Sequence, residues 1–138
     1  MSNRESLRYR QYYIKVSMIR SLTLLALLVS LSVCGQSISK IDSDGHWYRL
    51  YDESGTHYKT ASASEMGELV GYSSTLAIFQ KGEFYHLYDR QLKQQKVIAV
   101  SSVGELLNVV GDTFTTRKGK WMQTYSKAGE LLNRRFEK

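Results

Sequence analysis

Three strand-length segments carry the side chains best suited to binding chemistry. Trp47, Arg49 and Tyr51 alternate in the first, Phe84, His86 and Tyr88 in the second, and Trp121, Gln123 and Tyr125 in the third. Residues two apart share one face of a β-strand. Each segment therefore offers an aromatic, a polar and an aromatic side chain on one side. Brought together, the nine would form a three-fold face on which a glycan or peptide stacks, with Arg49, His86 and Gln123 supplying hydrogen bonds. Bases could stack in the same way, but the apolar run 21–33 behind a basic flank reads as an export signal, which takes the chain away from nucleic acid. The competing expectation is that large aromatics bury as the core of each segment. On that reading Trp121 is an interior residue.

Other chemistry is hard to assemble. His46, His57 and His86 lack the HxxxH or HxH spacing that converges on a metal. Asp42-Ser43-Asp44-Gly45 resembles the opening of a calcium loop, but the third acid and the distal glutamate are missing, and a turn accounts for it. No nucleophile–base pair, paired carboxylates or phosphate-binding glycine pattern is readable. The chain is therefore read as non-enzymatic, without cofactor or metal. One cysteine excludes an internal disulfide framework. With 42% hydrophobic and 23% charged residues the composition is that of a folded protein.

The elements that must position these residues form a repeat. Gly45-His46-Trp47-Tyr48-Arg49-Leu50-Tyr51-Asp52 lies over Gly82-Glu83-Phe84-Tyr85-His86-Leu87-Tyr88-Asp89, 37 residues on. A third copy begins at Gly119, with Trp121, Met122, Gln123, Thr124 and Tyr125 in the same slots. Residues 45–82 match 82–119 at 12 of 38 positions without a gap. Period-two alternation and turn residues predict eleven short strands between 37 and 136. Asp52-Glu53-Ser54-Gly55 has the residues of a tight turn. The absence of proline suits a backbone held mostly in ladders.

A unit reading Gly-x-(Trp/Phe)-x-x-x-Tyr-Asp, with a second strand pair and a length of 37, resembles bacterial propeller-blade-type and WG-type repeats. The resemblance covers 37–138. It implies an all-β antiparallel meander of about three blades, and it implies no particular activity. Ser37–Gly45 falls on the slot of Ser74–Gly82. The expectation is that strand 37–43 pairs with the C-terminal hairpin 121–136, burying Ile38 and Ile41 there and closing the fold.

Residues 1–35 read as an address. Arg4, Arg8, Arg10, Lys15 and Arg20 precede the apolar run 21–33. That run is too short for the roughly 20 residues of a spanning helix, and the pattern is that of a signal peptide cut after Gly35. Lipidation at Cys34 and retention of residues 21–33 as a hydrophobic membrane-anchor helix stay open. A start at Met18 would give a more usual signal length. The domains are then 1–35, signal peptide or anchor, and 36–138, the β-repeat domain.

Charge follows this division. Residues 36–112 hold seven basic and ten acidic side chains, whereas 113–138 hold seven basic and two acidic. The basic tail suits a solvated edge strand or contact with anionic envelope material. The expectation is a binding or scaffolding module of the periplasm or cell envelope. Its partner would be a protein, glycan or peptide. The alternative is a structural interaction protein that completes its sheet as a homo-oligomer or with another chain.

Overall fold

The computed structural model describes residues 36–138. The segment 1–35 expected to be a signal peptide or membrane-anchor helix, with Cys34, lies outside them. Eleven strands and two one-turn helices follow one another. They are β1 (Lys40–Ser43), β2 (Trp47–Tyr51), β3 (His57–Ser62), α1 (Ala63–Met66), β4 (Glu68–Tyr72), β5 (Leu76–Lys81), β6 (Phe84–Asp89), β7 (Gln94–Ala99), α2 (Val100–Val103), β8 (Glu105–Val110), β9 (Thr113–Lys118), β10 (Trp121–Ser126) and β11 (Leu131–Phe136). All pairing is antiparallel, so the chain is all-β as expected.

The strands form three sheets: β1-β2-β3, β4-β5-β6-β7 and β8-β9-β10-β11. Each is a meander joined by short loops, which close at small entropic cost. The sheets pack face to face. Ile38, Tyr48, Leu50, Met66, Ala77 and Phe79 fill the space between the first and second. Leu76, Ile78, Tyr85, Leu87, Val103, Phe114 and Tyr125 fill the space between the second and third. β5 therefore buries both faces, which is why Leu76-Ala77-Ile78-Phe79 is continuously apolar where buried residues alternate along β2, β6, β9 and β10.

Two devices recur at the sheet junctions. Tyr48 Oη donates to the carbonyl of Gly67 at 2.8 Å and accepts the Leu69 N–H at 3.1 Å. Tyr85 repeats this one sheet further on, at 3.2 Å to Gly104 and 3.1 Å from Leu106. Each tyrosine thus fastens the strand that opens the next sheet. The fastened turn needs glycine: Gly67 and Gly104 have φ of 88° and 91°. An added Cβ would also collide with the carbonyl oxygen of Gln80 or Arg117.

The expected closure is not formed. β1 pairs with β2, and β11 with β10, so the two ends lie in different sheets. Ile38 is buried and Ile41 half-buried, but both pack in the core between the first two sheets instead of against the C-terminal hairpin. The loop between β1 and β2 is three residues long. A local hairpin outcompetes a pairing across the whole domain, whose loop-closure cost is larger.

Candidate functional site

The register fixes where the nine triplet residues point. Phe79 pairs with His86 and Ala77 with Tyr88, so Phe84, His86 and Tyr88 share the side of the second sheet that meets the first. Phe114 pairs with Tyr125, so Trp121, Gln123 and Tyr125 share the side of the third sheet that meets the second. Trp47, Arg49 and Tyr51 take the same side of the first sheet, opposite the core residues Tyr48 and Leu50. The triplets thus occupy three successive layers. Packed sheets sit about 10 Å apart, and the three triplets do not converge on one ligand.

Each triplet is used locally. Arg49 is ion-paired with Asp44 at 2.7 Å. Asp44 also accepts the N–H groups of Trp47 and His46, which hold its carboxyl below the usual carboxylate range, with Arg49 adding to the effect. That accounts for Asp42-Ser43-Asp44-Gly45 as a turn. Tyr51 lies beside His57, ring centroids 5.6 Å apart, with Lys40 Nζ 5.9 Å from its ring. In the second sheet His86 Nδ1 lies 3.3 Å from Gln94 Oε1, and Tyr88 stands edge-on to Phe79 at 5.7 Å. Burial raises the pKa of the Tyr88 hydroxyl. In the third sheet Gln123 is buried and accepts from Tyr125 Oη at 3.2 Å, while Tyr125 stacks on Phe114 at 5.3 Å.

The first aromatic of each triplet is a surface residue. Trp47 and Phe84 are each 48% exposed and Trp121 37%. Trp121 is therefore not the interior residue that its repeat position implied. Its indole is covered on one face by Arg134, Cζ 4.1 Å from the ring, and is met edge-on by Phe136 at 5.0 Å. The buried aromatics are instead Tyr48, Phe79, Tyr85, Phe114 and Tyr125.

Two shallow hollows accompany the sheets. One, of about 380 Å³, lies at the open face of the first sheet beside Lys40, Asp42, Tyr51, Asp52 and Glu53. The other, of about 420 Å³, lies where the second and third sheets meet, between Arg90, Gln95, Asp112 and Lys127. Asp112 accepts from Thr75 Oγ1 at 2.7 Å and pairs with Lys127 at 3.1 Å, and these bonds lower its pKa. Among the described residues no group of three His, Cys, Asp or Glu is placed to hold a metal. No helix among them is long and apolar enough to cross a membrane.

The feature that triplet reasoning missed is β11. Every residue from Leu131 to Phe136 is exposed, and Leu131, Leu132 and Phe136 are the apolar ones. The signal was present in the sequence as Leu-Leu-Asn-Arg-Arg-Phe, apolar ends around two arginines. Compared with protein-family models, curated proteins and solved structures, the chain matches none.

Proposed function

We propose that the chain is an exported, non-enzymatic β-repeat module of the periplasm or cell envelope that works by presenting open sheet edges to another chain. In this reading it comprises three propeller-blade-like units of 37 residues. Among the described residues the first has no counterpart of the strand that β4 and β8 supply to the others. The observation that carries the reading is the strand inventory: among the described residues the first sheet holds three strands where the others hold four, and the first and last strands do not pair with each other. Unpaired edges are templates for strand addition. Export rests on the basic flank and apolar run ahead of Gln36.

Stacking of further copies onto the end faces finds less support. The inner positions Leu76, Ile78, Tyr85 and Leu87 of the second sheet become Thr113, Thr115, Met122 and Thr124 in the third. The junction tyrosine is thus replaced by a methionine that cannot fasten a next sheet. At the other end, Lys40 and Asp42 stand where Ala77 and Phe79 are buried, and they pair with each other at 2.7 Å. Terminal units with polar outer faces end a repeat array. The edges are what remain for a partner.

Site-specific photo-crosslinking in cells tests this. The crosslinker is placed on the edge strands β1, β3, β7 and β11, and on the outer face at Thr115. The expected result is protein adducts from at least one edge and none from Thr115. Folded protein that gives no adduct from any edge would refute the module reading. An intact mass that retains residues 18–35 would refute cleavage of the signal.

A further inference from the structure

We propose that β11 is the docking edge, and that it takes an extended acidic segment of a partner protein by strand addition. This rests on the interaction-module reading and names the edge and the chemistry of its partner. Among the described residues β11 has β10 as its only strand neighbour, so half of its backbone N–H and C=O groups face away from the sheet. The equivalent outer strands are guarded. Lys59 and Lys96 stand near the middle of β3 and β7, and edge lysines discourage strand addition. In β11 that position is Asn133. The edge instead ends in exposed apolar residues, with Leu131 50%, Leu132 57% and Phe136 50% exposed.

The charge on this edge selects the partner. Arg134 lies opposite Gln123, and Arg135 lies opposite Met122 on the other face. Neither is in an ion pair among the described residues. Arg134 rests on Trp121, and Arg135 donates to the sulfur of Met122 at 3.4 Å. Both can turn outward toward a carboxylate, a charge-assisted hydrogen bond stronger than either present contact. Adjacent arginines on opposite faces call for adjacent carboxylates on an added strand. Leu132 and Phe136, which flank Asn133-Arg134-Arg135, call for apolar residues on either side of them. The stated partner is thus an extended segment of the pattern apolar, acidic, acidic, polar, apolar. A second copy of β11 fits poorly. Two-fold pairing centred on Arg134 or Arg135 sets that arginine against itself, and like charges directly opposite are destabilising. The surroundings favour acidic partners further, since 113–138 carries seven basic and two acidic residues.

The test uses the full chain with Trp47→Phe, so that Trp121 is the only indole. Acetyl-Val-Glu-Glu-Thr-Val-amide, its Lys-Lys counterpart and phosphatidylglycerol vesicles are titrated in turn. The expected result is a change in Trp121 emission with the Glu-Glu peptide as Arg134 leaves the indole. Amide protection against hydrogen exchange should rise across 131–136. The Lys-Lys peptide should bind at least tenfold more weakly, and Arg134→Glu with Arg135→Glu should reverse that preference. Equal binding of the two peptides would overturn the proposal, as would absence of protection in 131–136. Arginine-dependent binding to vesicles without binding to the peptide would also overturn it, in favour of an anionic surface. Crosslinks in cells from β1, β3 or β7 with none from β11 would sink this edge assignment while leaving the module reading intact.

Discussion

Tyr85→Phe isolates the bond that fastens one sheet to the next. The ring of Tyr85 is 3% exposed and stays in place in the variant, so apolar burial is unchanged. What is lost is the hydroxyl, which donates to Gly104 and accepts from Leu106. A net hydrogen bond contributes about 1 kcal/mol, and leaving a buried partner unsatisfied costs roughly 1–3 kcal/mol. Two backbone groups lose their partner here, but Gly104 and Leu106 are only half-buried and water reaches them in part. The expected loss is therefore about 2 kcal/mol in urea melts of the full chain, with the m-value unchanged. Tyr48→Phe should cost a similar amount at the first junction. Tyr88→Phe serves as the control. Among the described residues its hydroxyl reaches only Gln94, at 3.5 Å, and the change should stay within about 0.5 kcal/mol. A loss below about 0.5 kcal/mol for both Tyr48→Phe and Tyr85→Phe would refute the fastening role and leave apolar packing alone holding the sheets together.

Gly104→Ala should destabilise by more than about 2 kcal/mol, because it combines a positive φ with a collision on the Arg117 carbonyl, whereas Gly119→Ala, at φ 60° in open space, should cost about 1 kcal/mol; urea melts compare them. Asp112 has its pKa lowered by hydrogen bonds from Thr75 and Lys127, so its contribution is present above the unfolded pKa and is lost as pH falls through the lower folded value. Asp112→Asn should therefore lower the melting temperature at pH 7 and reduce the fall in melting temperature between pH 5 and 2. Trp121→Ala should cost about 1 kcal/mol, well under the roughly 3–5 kcal/mol of an emptied interior aromatic site, because the indole is a surface residue.

The 37-residue period made the strands legible because glycine turns and period-two alternation are local properties. The eleven expected strands correspond to those observed. The helices α1 and α2 were not legible, since four residues cannot display a 3.6-residue stripe. Alternation also told which side of a strand each triplet takes, but not whether a neighbouring sheet covers that point. Trp121 and Tyr125 share one face, yet only Tyr125 is buried, because it lies against Phe114 while Trp121 lies at the far end of β10. Register comparison identified β1 as the equivalent of β5 and β9. It carried no information on which neighbour would pair with it, and chain proximity decided for β2.

The same comparison, applied position by position, explains why the array has ends. Tyr48 and Tyr85 reach forward into the next sheet, and their successor Met122 has no hydroxyl with which to do so. Leu76 and Ile78 are fully buried, while their successors Thr113 and Thr115 stand on a face that no described sheet covers. Each substitution keeps the strand intact, since threonine suits strands, and removes the apolar area that would recruit another sheet. The chain thus spends its apolar residues on two junctions and withholds them from a third. Leu131, Leu132 and Phe136 are the departure from that economy, apolar residues left exposed on the outermost strand of the terminal sheet. A solvent cap has no need of them, whereas a strand that receives a partner does.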